Sequence, residues 1–570
     1  MIMSAGISRR YGSVLLLGAL CALSGCGGGS GGSASSGAST TSAASTTDTG
    51  TPMGQTAAAR LLMQGTFGAT PGDVQTVANE SYDAWFSAQA AATPSLMSPQ
   101  IASWNSDTNP AWWYDAVKGS DQLRQRVAFA LSQILVVSDV NSVLYDQSTS
   151  RAAYYDLLTK NALGNFRTLL DAISHSPTMG VYLSFYKNDK PNTTTGARAD
   201  ENYARELMQL FTIGLWKLNQ DGTQQLDSSG NPIPTYTQSE VTNTADAFTG
   251  WGSAPQNGHS GDTAWEYDQD YVDTMVCYSD HHDTDAKTII DGVVIPSGGT
   301  CDSDMETVLD TLFNHQNTAP FISKQLIQRL VTSNPSSAYV ARVAAVFAND
   351  GTGTRGNLLA VVKAILTDPE AVTASTSADA GKLREPVLRL TNLWRAFSAT
   401  GVDNKIDAQI TDTASTDFSE NAMTSPTVFN FYRPDYLRAG ALENAGLYVP
   451  EFQITNEDTV VQLSNDLESQ AYDYVASSGT TYKGADYSQA ATSSDVQLHT
   501  ANWESYATDA TSLVNELNLV LMAGQMPSAM QTTLINYVNG IPTSETDYAA
   551  KRAIEAAQLV IDSPQYAIQR

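Results

Sequence analysis

Only 16% of the 570 residues are charged, and the balance is strongly acidic at a formal net charge of −28. Such a chain repels phosphate backbones and anionic bilayers, which excludes a nucleic-acid partner and means that a polyanionic substrate needs a local basic pocket or a bound cation. The length admits roughly two to four domains or one large helical body.

The chain opens with Arg9 and Arg10, then the apolar run 14–20, then Leu23-Ser24-Gly25-Cys26. Residues 1–25 read as an export signal, and its end resembles a bacterial lipobox. By that resemblance Cys26 becomes the lipidated N-terminus and holds the protein on a membrane, as an exported bacterial lipoprotein of the outer membrane or cell surface. An ordinary secretory signal is the alternative; Ser8-Arg9-Arg10 is a weaker match to a twin-arginine signal. Residues 26–55 are almost wholly Gly, Ser, Thr and Ala and form a flexible tether spanning on the order of 30 Å. No later run approaches the roughly 20 apolar residues of a membrane span.

Residues 56–570 read as a single large body, all-α in class. A short amphipathic helix is expected over 57–67, and Thr70 caps a second that starts at Pro71. Leu123, Val127, Leu131, Ile134 and Leu135 recur at helical spacing and predict a long helix over 120–137, with Arg124 and Arg126 on different faces. Stretches 154–163, 166–174, 306–314, 320–332, 338–349, 355–367, 384–398 and 549–561 read the same way. Residues 219–237, with Asp221-Gly222 and Gly230-Asn231-Pro232 as turn signals, predict a small β-hairpin. Two long polar inserts, 251–304 and 450–500, show little periodicity.

With Cys21 in the signal and Cys26 acylated, Cys277 and Cys301 are left to the body, and outside the cytoplasm two such thiols predict a disulfide; two buried free thiols are the alternative. The bridge would close the 251–304 insert and add roughly 3 to 4 kcal/mol.

The densest motif is Asp200-Glu201-Asn202-Tyr203-Ala204-Arg205-Glu206-Leu207, continuing to Gly214. Tyr203, Leu207, Leu210 and Phe211 make one apolar helix face, and Gly214 suits its C-terminal cap. Glu201 and Arg205 stand four apart as an ion pair, and Asn202 and Glu206 form a second polar stripe. Glu201 and Glu206 point roughly 140° apart, so this helix alone cannot converge both carboxylates on one atom. A surface helix with one salt bridge accounts for the same residues.

This motif resembles the core of the bacterial exported family catalogued as domain of unknown function 1800. Segments 123–133, 175–183, 219–223 and 248–251, then Gln328-Arg329-Leu330-Val331-Thr332-Ser333-Asn334-Pro335, Lys382-Leu383-Arg384-Glu385-Pro386 and 425–431, match the same family, from about Arg60 onward. The resemblance implies no agreed reaction. It does imply a partner similar to the alkaline-phosphatase and sulfatase fold.

Glu206, Glu201, Arg205, His175 and Arg384 are the candidate catalytic residues. His281, His282 and Asp283, shortly before Lys287, resemble a His-Asp plus Lys pattern of the family and are candidate ligands of a divalent metal, although their spacing matches no strong metal signature and a hydrogen-bonded loop explains them equally. His175 and His315 sit at expected helix ends, where the dipole alone favours them. Arg433 is a candidate anion ligand on the loop after 425–431, and Asn219, Asp221 and Asp227, or Asp268, Asp270 and Asp273, are candidate Ca²⁺ ligands or solvated turn residues. The sole Gly-x-Ser-x-Gly match, around Ser30, lies in the tether; no phosphate loop or haem motif occurs. Two function classes follow: a surface-anchored hydrolase-like enzyme on an extracellular or periplasmic polymer, or a non-enzymatic lipoprotein that binds or presents a partner.

Overall fold

The helix Gln122–Ser132 is buried on almost every face, because Leu123, Val127, Ala128, Phe129, Ala130 and Leu131 leave no polar stripe wide enough to face water. It ends earlier than the apolar repeat suggests. Ile134 and Leu135 still enter the core, but on irregular backbone after Ser132. The computed structural model describes residues 50–375, 377, 380–401, 405–406, 418–483 and 496–570, and all of them belong to one structural unit, Thr47–Arg570. The expected export signal, Cys26 and the expected tether up to residue 49 lie outside the described residues.

The unit is predominantly helical, as expected. Thr70 closes a capping box with Asp73 and Pro71 occupies the first helical position, so the second helix starts where turn chemistry places it. The later helices Cys301–Asn314, Thr318–Leu330, Ser337–Ala348, Leu358–Leu366, Pro386–Ala396 and Tyr548–Ile561 fall on the periodic stretches. Sheets among the described residues are small: three two-stranded pairs and one of four strands, ordered Thr400–Gly401, Val496–His499, Tyr474–Val475, Thr481–Tyr482. The expected hairpin at 219–237 folds back through the isolated bridges Leu218 to Gln224 and Leu226 to Pro232.

One insert departs from expectation. Within 450–500 lies a 15-residue helix, Glu457–Ala471, started by a capping box between Asn456 and Thr459. Its buried residues Thr459, Leu463, Leu467 and Ala471 follow at strict intervals of four, a stripe too narrow to stand out among polar neighbours.

Two long-range closures hold the ends. Strand Ile568–Gln569 pairs antiparallel with Lys382–Leu383, and Gln569 Nε2 donates to the Leu330 and Val331 carbonyls at 2.8 and 2.9 Å. Arg60, at the other end of the body, donates to the Arg570 carbonyl 510 residues away. The 251–304 insert is pinned by the Cys277–Cys301 disulfide and by the pairing of Trp251–Gly252 with Val276–Cys277.

Candidate functional site

The helix Asn202–Gln209 begins one residue after Glu201 and buries Tyr203, Ala204, Leu207 and Met208. Gly214, at φ 71°, lets its amide and that of Ile213 both turn back to the Met208 carbonyl; a Cβ there would meet the Phe321 ring at 2.7 Å. That packing leaves Glu201, Arg205 and Glu206 on the rim of the core.

The two carboxylates diverge as the helical geometry requires. Glu201 accepts from Arg205 Nη2 at 2.8 Å, Gln238 Nε2 at 2.7 Å and Thr242 Oγ1 at 2.7 Å. Partial burial opposes its ionisation, but the bonds from Thr242, Gln238 and Arg205 outweigh it and hold Glu201 below the ordinary carboxylate range. Glu206 stands apart. Its Oε2 is buried and accepts no hydrogen bond from the described residues, and burial raises its pKa against the weaker opposing pull of Arg205.

Two tyrosines flank Glu206. Burial, then the Glu206 charge, pushes the Tyr182 and Tyr236 phenols each up to about 12. Ser425, next to Tyr182, accepts at its carbonyl from Ser138 Oγ at 2.7 Å, while Asp139 N donates to Met423 O at 3.0 Å. A 590 Å³ cleft is lined by Asp139, Tyr145, Ser419, Thr424, Phe431 and Asn456, among others; Glu206, Tyr182 and Tyr236 are not part of its lining. No Lys, Arg or His lines that cleft.

The histidines go elsewhere. His175 lies 3.4 Å from Asp171 and edge-on to Trp251, and its carbonyl accepts from Met275; burial opposes protonation, but the Asp171 bonds prevail and raise its pKa. His281 stacks on Trp265 with ring centroids 4.0 Å apart and lies 3.2 Å from Asp189. The next ring, His282, is buried, with Nδ1 on the Thr249 carbonyl at 2.9 Å and Nε2 3.4 Å from Asp304. Lys287 then bridges Asp304 at 3.2 Å and Asp283 at 3.1 Å. His282, Asp283, Lys287 and Asp304 thus form one knot that ties the insert to the helix Cys301–Asn314 beside the disulfide. Among the described residues no group of three or more His, Cys, Asp and Glu side chains is spaced to hold a metal ion, and no hydrogen bond or ion pair joins Glu206 to a histidine. The Ca²⁺ candidates Asp221 and Asp227 accept from backbone amides of their own turns, and Asp268 accepts from His259 Nδ1 and Gln256 N. His315 is lowered by burial, and Arg433 is exposed with Asp435 3.6 Å away.

The family motif at 382–386 leads inside the protein. Lys382 Nζ meets Glu385 at 3.0 Å, Glu451 at 3.2 Å and the Arg329 carbonyl at 2.8 Å. Gln133 Nε2 donates to Glu385 at 2.7 Å and to the Tyr432 hydroxyl at 3.2 Å, while Arg126 Nη2 donates to the Arg329 carbonyl at 2.6 Å and Arg329 Nη2 to the Gln133 carbonyl at 2.9 Å. Burial opposes ionisation of Glu385, but Lys382 and then Arg126 hold it below the ordinary range. Glu420, fully buried beside that charge, is raised far above the range by burial and then by Glu385. Glu420 and Glu451 are not visible from the sequence: Glu420 lies on irregular backbone and Glu451 in the short 3₁₀ helix Pro450–Ile454, and what each faces comes from distant segments. Arg384 turns away from this cluster to the Leu521 carbonyl and the face of Tyr566.

A family model described as "Protein of unknown function (DUF1800)" matches residues 60–568. No curated protein and no solved structure matches the chain.

Proposed function

Because the chain belongs to the DUF1800 family over nearly all of its body, whose activity is undefined, we propose from its own geometry that it is a hydrolase-like enzyme acting on an extracellular or periplasmic polymer, with Glu206 as proton donor. The observation that carries this reading is the buried, unpartnered Glu206 oxygen with a raised pKa, beside Tyr182 and Tyr236; a 590 Å³ cleft whose lining includes Thr424 and Pro426 is a separate feature that Glu206 itself does not line. A carboxyl whose pKa burial raises is suited to give its proton to a leaving group, while Glu201, which accepts three side-chain hydrogen bonds, keeps Arg205 in place beside it. The cleft offers hydroxyl, amide and aromatic groups, the Asp139 carboxylate and no cation, which suits an uncharged polymer such as a neutral glycan. Lipidation at Cys26 and the tether would hold the enzyme on the membrane that faces this substrate.

One observation favours a second reading, a non-enzymatic lipoprotein that binds or presents a partner protein similar to the alkaline-phosphatase and sulfatase fold. Val140, Val143 and Tyr145 stand 59, 42 and 66% exposed on one short segment at the cleft edge. Hydrolysis of a panel of neutral and acidic polymers by wild type and Glu206→Gln separates the two: the enzyme reading requires turnover of a neutral polymer that the variant loses, and partner binding without turnover refutes it.

A further inference from the structure

One wall of the 590 Å³ cleft is the segment 418–432, which contributes Ser419, Thr424, Pro426 and Phe431; another is the turn that contributes Gln453, Ile454 and Asn456. Both walls are rooted in the same buried acid cluster. Glu420 follows Ser419 and Tyr432 follows Phe431, while Glu451 precedes Gln453 by two residues. The Tyr432 hydroxyl accepts from Gln133, and Glu451 pairs with Lys382. Glu420 differs from both. It is 0% exposed, its Oε1 accepts no hydrogen bond from the described residues, and its Oε2 has the Val387 amide at 3.4 Å.

The charged groups around Glu420 are engaged elsewhere. Lys382 is shared between Glu385 and Glu451, Arg126 donates to the Arg329 carbonyl and Arg329 to the Gln133 carbonyl, and Glu420 forms no ion pair among the described residues. A carboxylate in that position would be buried with no cation in contact, so the group keeps its proton. Burial and then the Glu385 charge accordingly hold Glu420 far above the ordinary carboxylate range, with Lys382 opposing the rise and Glu451 adding to it. Tyr432, itself raised by burial, faces it as a neutral phenol.

The segment that carries Glu420 has no helix or strand between Phe418 and Tyr432. Ser419, Met423 and Asn430 stand at φ 55°, 60° and 64°, in the left-handed region that side chains other than glycine rarely adopt. Such backbone persists only while its surroundings enforce it.

We propose that Glu420 is a proton latch on the cleft: as the neutral acid it lets segment 418–432 seat against the core, and loss of its proton to solvent draws the carboxylate toward water and unseats that wall. The seated state is fully present below the ordinary carboxylate pKa and is lost as pH rises through the raised, folded-state value. The latch concerns the wall and not what fills the cleft, so it stands or falls apart from the hydrolase reading, and its test reads the backbone rather than turnover.

Amide hydrogen exchange of the full chain between pH 5 and pH 9, corrected for the intrinsic pH dependence of exchange, tests it. In wild type, protection across 418–432 falls by about tenfold or more at the alkaline end, while the helices Phe166–Ser174 and Tyr548–Ile561 keep theirs. Glu420→Gln, which cannot ionise, abolishes the pH dependence in 418–432. If that variant fails to fold, Glu420→Asp, which keeps the acid and shortens its reach, retains the dependence with a displaced midpoint. Protection in 418–432 that does not change with pH, an equal loss in the two control helices, an unaltered dependence in Glu420→Gln, or an unmoved midpoint in Glu420→Asp overturns the latch.

Discussion

Lys382 and Glu385, three residues apart, form an ion pair of 3.0 Å whose side chains are 1% and 0% exposed. A charge pair so completely removed from water is held together by what removing either partner would leave behind. Lys382→Met strands Glu385, Glu420 and Glu451 without their ammonium, and is expected to lower unfolding stability by about 3–5 kcal/mol in urea or guanidinium titrations. A loss below about 1 kcal/mol would show that the cluster tolerates an unpaired acid.

Glu206 is expected to respond in the opposite sense. Its pKa in the folded protein is raised above the ordinary 4.5, so its contribution to stability is fully present below that value and is lost as pH rises through the folded pKa. Glu206→Gln removes the charge that is poorly solvated in the folded state, so the variant melts at or above the wild-type temperature at neutral pH while activity falls by about 10²–10⁴. Thermal melts at pH 4 to 8, beside polymer-cleavage assays, check both; a variant that melts well below wild type at neutral pH would refute this account of the site.

The disulfide offers a simpler test. Cys277 and Cys301 are 24 residues apart, and the chain-entropy model gives roughly 3 to 4 kcal/mol for a loop of that size. Denatured, unreduced protein should show no titratable thiol from this pair, and the Cys277→Ser, Cys301→Ser double variant should lose stability on that scale, with the greatest increase in amide exchange in the insert around His282 and Lys287. Two reactive thiols before reduction would contradict the bridge.

Under the lipobox reading, Cys26 carries the membrane attachment. Cys26→Ser is expected to release a folded protein from the membrane fraction, read by fractionation together with a melting curve. Full retention of the variant in membranes overturns the lipobox reading.

Local chemistry was legible and convergence was not. The Glu201 to Arg205 pair, the Thr70 cap, the Gly214 turn and the divergence of Glu206 from Glu201 all follow from helical geometry within a few residues. The pairing of Cys277 with Cys301 followed from there being no other cysteine in the body. Lys382 and Glu385 stood in one motif, but Glu451 and Gln133, which complete their network, are 69 and 252 residues from Lys382 and Glu385, respectively, and no local periodicity records such a meeting. The helix Glu457–Ala471 was hidden for a different reason, its apolar stripe being a single residue wide. His282 was read as a ligand or a loop group; its Thr249 and Asp304 partners come from 33 and 22 residues away, so only the fold could choose between those readings.

The strand at Ile568–Gln569, bonded to Lys382–Leu383 and to the end of the Thr318–Leu330 helix, makes the order of synthesis matter. A segment that supplies one edge of a central pairing emerges from the ribosome after more than 560 other residues, and Arg60 waits equally long for its carbonyl partner. Until then the buried lysine lacks its cover, and the nascent thread cannot lock. A body whose strand 382–383 pairs with 568–569 therefore reaches its full closure only after the later segment has been made.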